Sequence, residues 1–345
     1  RTRASKGRSI ESPDTRESPC PKSRQAWVLS CARRLMSRMV AGMTFRQFAG
    51  IVELRTKIVS LGTYTLAALY VLWTRSSINL LDAAMLLAAA LAVDMGTTGF
   101  NSYFDWYRNV DDARFNREEG KVLVHEGVSP GAALGVSAAC FALAMALGTA
   151  LAFRAGFAVL VAGGASLLVG FLYSAGPRPL SSTALGELFA GGFLGTVFYL
   201  IAVRILGGAA DWRAVLASLP QSFCIGAILS ANNACDIKGD AASGRRTLAI
   251  KLGPALAPLA IYVQLAAAWC AGLGLAAAGI APRALALTLP VAALPAFLTL
   301  AAMRARGYSH LTKGPTMGGI SRIFILMDAA WVLGYLLELA LPGVF

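Results

Sequence analysis

The sequence predicts an all-α membrane protein with about nine transmembrane helices. Of its 345 residues, 57% are hydrophobic and only 14% are charged, whereas charged residues make up roughly a quarter of a typical soluble domain. Several segments exceed about 18 residues almost without charge, which is enough to cross a bilayer core of about 30 Å. A spanning segment must satisfy its own backbone hydrogen bonds, so we expect each of these segments to be an α-helix.

The first 45 residues differ in composition from the rest of the chain. They start with Arg1 and read "RTRASKGRSIESPDTRESPCPKSR", which is polar, rich in Ser and Pro, and without a hydrophobic period. This composition predicts a disordered basic tail. We expect translation of the native protein to start at Met36, Met39 or Met43, so that much of the tail is not native. A polybasic arm that lies on anionic lipid is the alternative. Residues 46–345 are expected to form one transmembrane domain.

Nine apolar segments follow the tail. Gly and Ala are abundant within them, as in "VAGGASLLVG" and "LFAGGFLG", and small residues allow membrane helices to approach one another closely. The spans are expected near residues 56–74, 78–106, 131–153, 156–174, 183–206, 213–235, 255–279, 283–303 and 321–341.

The loops between the spans alternate in charge. One set is short and nearly neutral, whereas the other is longer and basic, for example Arg108 to Lys121 and Lys238 to Lys251. Basic loops remain on the cytoplasmic side of a membrane. We therefore expect a plasma-membrane protein with a cytoplasmic N-terminus. The net charge of +13 reflects this topology, and we expect no nucleic-acid partner.

Two polar stretches interrupt the apolar pattern at the cytoplasmic ends of the second and sixth spans. They read "GFNSYFDWYRNVDD" and "SANNACDIKGD", and each contains Asn-x3-Asp, as Asn101 with Asp105 and Asn232 with Asp236. A basic loop follows both. The second copy lies four spans after the first, which predicts two four-helix repeats related by an axis along the membrane normal, plus one further helix.

The spacing within each stretch brings oxygen donors together. Residues four apart on a helix share a face, so Asn101 lies beside Asp105. Asn232, Asp236 and Asp240 likewise share a face. Carboxylates next to hydrocarbon are costly unless they have a partner or a function. Clustered carboxylate and amide oxygens suit Mg²⁺, which completes its coordination with water and substrate phosphate oxygens.

Basic residues beside both stretches indicate an anionic ligand. Asp111 lies past the expected helix end and can fold back toward the acids, and the basic residues Arg108 and Lys121 accompany the first stretch. Lys238 and Arg246 accompany the second stretch. Acids that hold a metal, together with bases that reach anionic oxygens, are typical of a diphosphate site. An opening from the bundle to the lipid would keep a long apolar tail in the bilayer, so we expect a prenyl diphosphate as ligand.

Other interpretations account for parts of this pattern. The acids could pair with neighbouring Arg and Lys at the membrane interface without a function, since such pairs are common and contribute little. Ion pairing alone does not explain why two matched stretches lie on the same side of the membrane. A secondary transporter also has repeats, but tends to place its charges near the midplane on interrupted helices. A purely structural scaffold gives no reason for the paired motifs.

The two motifs resemble those of the UbiA superfamily of membrane prenyltransferases, over about residues 50–340. "NNACDIKGDAASGRRTLAIKLG" is similar to the NNxxDxxxDxxAGKRTLAxxLG stretch of the 1,4-dihydroxy-2-naphthoate polyprenyltransferases (the MenA branch). "YSAGPRPLSSTALGELFAGGFLG" resembles their YxGGPxPL…GE segment, and the Lys-Arg pair usual in the 4-hydroxybenzoate branch is missing. The first motif departs from the pattern, because Ser102 stands where Asp is usual and Arg108-Asn109 replaces Lys-Gly.

The resemblance implies a set of site residues. The family's two magnesium ions would be held by Asn101, Asp105, Asp111, Asn232, Asp236 and Asp240. Catalytic roles fall to the four aspartates of this set and to Tyr173. The groups that would bind substrate are Arg108, Lys121, Arg178, Lys238, Arg246 and Asn233. Glu187, Glu53 and Arg55 are further candidates for contacting the acceptor. For Tyr173 and Arg178 the alternative is a role as interfacial anchors.

The resemblance also implies an activity. The chain would be a Mg²⁺-dependent enzyme of menaquinone synthesis that transfers a polyprenyl group from a polyprenyl diphosphate to an aromatic acceptor. For 1,4-dihydroxy-2-naphthoate the transfer includes loss of carbon dioxide. Other acceptors within the family remain open, namely 4-hydroxybenzoate, another phenol, haem or a lipid. A secondary transporter is the more distant alternative.

Overall fold

The computed structural model describes residues 43–108 and 122–344. These residues form helices and contain no β-strand, which confirms the predicted all-α class. The predicted tail, residues 1–45, lies outside the described residues apart from 43–45. Asp111 and Lys121 also lie outside them.

The described residues form nine long helices, numbered α1 to α9. The helices are Ile58–Arg75 (α1), Leu80–Tyr107 (α2), Pro130–Ala155 (α3), Phe157–Ser174 (α4), Gly186–Ile205 (α5), Trp212–Ala242 (α6), Leu248–Ala277 (α7), Leu285–Arg306 (α8) and Lys313–Ala340 (α9). The middle of α5, Gly191–Val197, is π-helical. Shorter helical segments are Phe45–Ile51, Leu54–Lys57, Val122–His125 and Leu180–Ser182.

Eight of these helices, α2 to α9, are long and apolar enough to cross a membrane. The chain is therefore a multi-pass membrane protein. Within the described residues, α1 occupies the position of the first predicted span but is less apolar, because it contains Thr63, Tyr64 and Thr65 and ends in Arg75. The predicted count of nine spans is thus not confirmed.

The predicted helix ends are accurate to a few residues except at three places. α6 continues to Ala242 and α9 begins at Lys313, whereas α7 gains a turn from Leu248 that the non-helical Gly253 (φ 73°) separates from the span predicted to start at residue 255. These extensions are polar or contain Gly and Pro, so hydrophobicity alone does not reveal them. α6 has 31 residues and is about 46 Å long at 1.5 Å per residue. It is longer than a bilayer core of about 30 Å, so one end extends beyond the hydrocarbon.

Short connections make consecutive helices antiparallel. Gly156 alone separates α3 from α4, with a φ of 108° that other residues rarely adopt. Five residues, 243–247, join α6 to α7, and six, 307–312, join α8 to α9. The C-terminal ends of α2, α4, α6 and α8 therefore share one end of the bundle with the start of α9. The acidic stretches of α2 and α6 lie at this end.

Glycines let α5 approach α6 closely. A Cβ atom on Gly191 would lie 2.4 Å from the Ser222 carbonyl oxygen, and one on Gly195 would lie 2.3 Å from Ser222 Oγ. A Cβ on Gly192 would meet nothing within 4 Å. The backbone of α6 therefore packs directly on the π-helical part of α5. α2 packs most extensively on α3, and α6 on α7, and these pairs hold equivalent places in the two predicted repeats.

The segment before α1 packs along the C-terminal half of α2. Thr44 and Gln47 form a capping box that starts the helix Phe45–Ile51. The Ser102 hydroxyl donates to the Ile51 carbonyl oxygen at 3.1 Å. This contact gives Ser102, the position where the first motif departs from the family pattern, a packing role between the two segments.

Candidate active site

A cavity of about 2060 Å³ runs along α2 from Leu86 to Asp105. These two residues are about 28 Å apart along the helix axis at 1.5 Å per residue. Helices α4, α5, α6 and α9 contribute to the other walls. Charged and amide side chains line the end near Asp105, whereas the walls farther along α2 are mainly apolar. The apolar lining includes Leu86, Ala89, Met145, Leu160, Leu194 and Phe198.

Arg245 joins the two acidic stretches. Its Nη2 lies 2.7 Å from Asp105 Oδ1, and its Nη1 lies 3.3 Å from Asp240 Oδ1. Asp105 is near the end of α2, Asp240 is near the end of α6, and Arg245 belongs to the loop after α6. Both carboxylates are buried. The two acid-bearing helix ends therefore face each other across one cavity, at a separation that one guanidinium bridges.

Hydrogen bonds orient the first motif. Asn101 Nδ2 donates to Asp105 Oδ2 at 3.0 Å, as expected for residues four apart on one helix face. The Ser174 hydroxyl, at the end of α4, donates to Asn101 Oδ1 at 3.0 Å. The amide of Asn101 is therefore fixed from both sides. Asn101 lies on the cavity wall because α2 continues as a helix beyond the apolar part of its span.

The second motif is held by α9 and α5. Lys313 Nζ, in the first turn of α9, lies 2.6 Å from Asp236 Oδ2. Asn233 Nδ2 donates to Glu187 Oε1, near the start of α5, at 2.9 Å. Asn232 and Asp240 line the same cavity. The residues of both Asn-x3-Asp motifs thus contribute to a single site.

Several other predicted residues line this cavity. Tyr173 is half-buried at the end of α4, and Lys238 is exposed at the rim. Glu53 and Arg55 contribute a wall from the segment before α1. Glu187 is buried behind Asn233 and does not itself line the cavity.

Three of the predicted substrate-binding residues lie elsewhere. The guanidinium of Arg108 donates to the carbonyl oxygens of Ser174 at 2.6 Å and Gly176 at 2.8 Å, so it ties the end of α2 to the end of α4. Arg178 and Arg246 are exposed and do not line the cavity. In the loop after α6 the neighbouring arginine, Arg245, faces the acids instead. Asp111 and Lys121 are outside the described residues.

Sequence reasoning missed Arg245 and Lys313. Both are basic residues of the predicted cytoplasmic loops, and the pattern of charges did not distinguish Arg245 from Arg246. Lys313 lies in a segment predicted as a loop, whereas α9 already begins there. The same loop brings His310 and Leu311 to the cavity. Nearby, burial and the Tyr262 hydroxyl raise the pKa of Tyr308, so this phenol stays neutral.

The oxygen donors of the site fit a magnesium ion. Asp240 Oδ2 is buried and accepts no hydrogen bond, and carboxylate and amide oxygens are the ligands that a hard cation takes. Among the residues that the structure describes, no group of three or more His, Cys, Asp or Glu side chains could hold a metal by itself. Mg²⁺ usually takes one or two carboxylates and completes its shell with water and substrate phosphates, so a donor set of this size is compatible with Mg²⁺.

Comparisons with known proteins identify the family and relatives that this chain resembles. The family model described as the UbiA prenyltransferase family matches residues 61–314. The chain is 34% identical over 217 residues to a 1,4-dihydroxy-2-naphthoate octaprenyltransferase of Bacillus subtilis (strain 168), covering 62% of this chain and 68% of the relative. It is 29% identical over 216 residues to the protein of the same name from Mycobacterium tuberculosis, covering 59% and 72%.

Solved structures show the same fold. A UbiA homolog from Aeropyrum pernix K1 superposes with a TM-score of 0.61 at 21% identity, covering 80% of this chain and 98% of that one. A UbiA homolog from Archaeoglobus fulgidus bound to DMAPP and Mg²⁺ superposes with a TM-score of 0.56 at 16% identity, covering 82% and 98%. At these identities the likeness concerns the fold alone.

Proposed function

This chain belongs to the UbiA prenyltransferase family, and from that premise we propose that it transfers a polyprenyl group to 1,4-dihydroxy-2-naphthoate in menaquinone biosynthesis. The donor is a polyprenyl diphosphate, and the acceptor loses carbon dioxide. The names of the curated relatives support this acceptor. The structural observation that carries the proposal is the bridge from Asp105 through Arg245 to Asp240, at the polar end of a cavity that continues between apolar walls.

The two ends of the cavity suit the two parts of the donor. Arg245, Lys313 and Lys238 bring positive charge to the polar end, where diphosphate oxygens would bind. The apolar walls along α2, α4 and α5 suit a hydrocarbon chain. A polyprenyl diphosphate therefore matches the cavity in both charge and polarity, and its tail can remain at the level of the lipid.

Magnesium would bind between the acidic stretches. Asn101 and Asp105, with Asp111 of the first motif, would hold one ion, and the second motif would hold the other through Asn232, Asp236 and Asp240. When bound, the ions would neutralise charge that develops on the departing diphosphate. Arg245 and Lys313 add fixed positive charge at the same place, and preorganised charge of this kind lowers the barrier to bond cleavage.

The reaction is a substitution at the allylic carbon. The C–O bond to diphosphate breaks, and its electron pair leaves with the diphosphate. An electron pair of the ring then forms the new C–C bond at the carbon that carries the carboxylate. The electrons of the bond to that carboxylate restore the aromatic ring as carbon dioxide leaves. Apolar walls exclude water, which would otherwise capture the allylic cation.

We place the site on the cytoplasmic side of the plasma membrane, with the N-terminus cytoplasmic. The basic residues of the loops after α2, α6 and α8 support this orientation, since such residues stay on that side. The gathering of acids at one end of the bundle, together with the family, favours prenyl transfer over transport. Tyr173, which lines the cavity near Arg245, is placed to contact the allylic group or the acceptor.

The test uses membranes that contain the full chain. Supplied with a polyprenyl diphosphate and 1,4-dihydroxy-2-naphthoate, they should form the prenylated, decarboxylated naphthalene and release carbon dioxide, as followed by mass spectrometry and a ¹⁴C-labelled carboxylate. 4-Hydroxybenzoate, offered in parallel, should give little product. A preference for 4-hydroxybenzoate would show that the proposed acceptor is wrong. Absence of transfer to every acceptor would reject the proposed function.

A further inference from the structure

A second charged cluster lies deeper in the same cavity. Lys57, just before α1, is bonded through Nζ to Asp94 Oδ1 in the middle of α2, and to Thr98 Oγ1 at 2.7 Å. The Ser60 hydroxyl donates to Asp94 Oδ2 at 2.6 Å. The side chain of Lys57 is 4% exposed and that of Asp94 is 12% exposed. This cluster has no part in the reaction described above.

The pair is not explained by stability. Removing two charges from water costs free energy that their attraction often fails to recover, and apolar residues of similar size are commonly as stable or more so. Ionisable residues within membrane segments usually mark functional sites. The Lys57–Asp94 pair therefore calls for a role that two apolar residues could not fill.

Its position along α2 indicates that role. Asp94, Thr98, Asn101 and Asp105 recur at a spacing that places them on one helix face, and all four line the cavity. Asp94 lies 11 positions before Asp105, about 16 Å along the axis. The α2 residues that line the cavity beyond it, such as Val93, Ala90 and Leu86, are apolar. On the face of α2 that lines the cavity, Asp94 is therefore the last polar residue, counting from the polar end near Asp105.

The members of the cluster have different access to the cavity. Asp94 and Thr98 line it, whereas Lys57 and Ser60 lie behind them. Lys57 and Ser60 each bond one oxygen of Asp94 and so fix the orientation of its carboxylate. A carboxylate oxygen has lone pairs left for a further donor.

We propose that Asp94 binds a hydroxyl group of the aromatic acceptor and that Lys57 and Ser60 are positioning residues for it. This inference rests on the proposed function and names the acceptor subsite. A polyprenyl tail has no hydrogen-bond donor, and a diphosphate is repelled by a carboxylate. A phenolic hydroxyl is a donor whose hydrogen bond this carboxylate can accept. The subsite therefore takes a hydroxylated aromatic ring.

The test compares two ligands and needs neither metal nor prenyl diphosphate. The full chain in lipid nanodiscs is titrated anaerobically with 1,4-dihydroxy-2-naphthoate and with 1,4-dimethoxy-2-naphthoate, which has no hydroxyl donor. The wild-type protein should bind the dihydroxy compound about tenfold more tightly or better, as expected for a hydrogen bond to a charged acceptor. The double variant Lys57→Met/Asp94→Leu should bind the two compounds equally, with its melting temperature maintained because both charges are removed together.

A matched control removes an ion pair elsewhere. Arg154 and Asp82 pair between α3 and the start of α2, and neither lines the cavity. The double variant Arg154→Met/Asp82→Leu should keep the wild-type preference for the dihydroxy compound. Ser60→Ala, which removes one of the bonds to Asp94, should reduce the preference only in part. An unchanged preference in a folded Lys57→Met/Asp94→Leu protein would overturn the proposal.

A second measurement separates this inference from the proposed function. The prenyl-transfer assay is run on the same Lys57→Met/Asp94→Leu protein, where the KM for the acceptor should rise about tenfold and the KM for the prenyl diphosphate should stay within twofold. Transfer by the wild type with an unchanged acceptor KM in the variant rejects the subsite alone. Absence of transfer by the wild type rejects the function, whatever the binding data show.

Discussion

Arg245 Nη2 lies 2.7 Å from Asp105 Oδ1, although the two residues are 140 positions apart in the chain. This contact places the loop after α6 on the end of α2. Because the same guanidinium also reaches Asp240, Arg245 contacts an aspartate of each acidic stretch.

Replacing Arg245 should therefore impair the enzyme more than replacing its neighbour. Arg245→Lys keeps the charge but loses the planar fork that reaches two carboxylates, and we expect kcat/KM to fall about tenfold, the cost of one charge-assisted hydrogen bond. Arg245→Gln should lose about 100-fold, since the charge is also removed. Arg246→Gln, whose side chain is exposed, should stay within twofold. A larger loss at Arg246 than at Arg245 would contradict the geometry described here.

The aspartates of the two motifs should be needed for turnover and not for folding. Asp105→Asn and Asp236→Asn each remove a negative charge from the proposed metal site, and we expect kcat to fall about 100-fold or more. Both variants should still fold in detergent, with a lowered melting temperature because each removes one ion pair, to Arg245 or to Lys313. Asp82→Asn, at the opposite end of α2 from Asp105, is the control. Near-normal turnover in both site variants would eliminate the metal roles.

Metal removal should abolish transfer reversibly. EDTA should reduce product formation to background, and added Mg²⁺ should restore it, because hard oxygen donors bind this ion with substrate phosphates. Zn²⁺ should restore less, since the proposed ligands are carboxylate and amide oxygens and include neither Cys nor His. Full activity in EDTA after exhaustive dialysis would show that the acids serve another purpose.

Arg108 should contribute to stability and not to substrate binding. Arg108→Ala removes two hydrogen bonds to carbonyl oxygens at the end of α4, and we expect a loss of about 1 kcal/mol, reduced from the value for buried charged donors because the side chain is partly exposed. Thermal melting in detergent measures this loss. The KM for the prenyl diphosphate should be unchanged. A raised KM for the prenyl diphosphate without a change in melting temperature would indicate that Arg108 binds the diphosphate.

The contact between α5 and α6 should be sensitive to a single methyl group. Gly195→Ala would put a Cβ 2.3 Å from Ser222 Oγ, so one of the helices must move, at a cost of about 1–3 kcal/mol. Gly192→Ala, three residues away and in open space, should be neutral or slightly stabilising because Ala favours helix over Gly. Equal melting temperatures for the two variants would show that the helices are not packed as described.

Hydrophobic length and the Asn-x3-Asp spacing were sufficient to predict the helices and the helix faces that carry the acids. The spacing works because a helix fixes which residues share a face, whether or not the segment is apolar. Asp105 and Asp236 are therefore found where the sequence indicates. The choice between Arg245 and Arg246 depends on how the loop after α6 turns, and no periodic pattern encodes that turn.

The Lys57–Asp94 pair could not be predicted for a related reason. Lys57 lies just before one helix and Asp94 lies in the middle of the next, so their meeting depends on how far α1 and α2 are shifted along each other. Helix lengths alone do not specify that shift. Lys313 was missed because α9 starts before its apolar segment, where the sequence "KGPTMGG" suggests a loop.

The contact of Lys313 with Asp236 has a consequence for biogenesis. Ribosomal synthesis supplies α2 and its acids early, then Arg245, and only with α9 the lysine that reaches Asp236. Truncation at any point before residue 313 would remove α9 and with it one wall of the cavity. The cavity is therefore complete only after α9 has been synthesised.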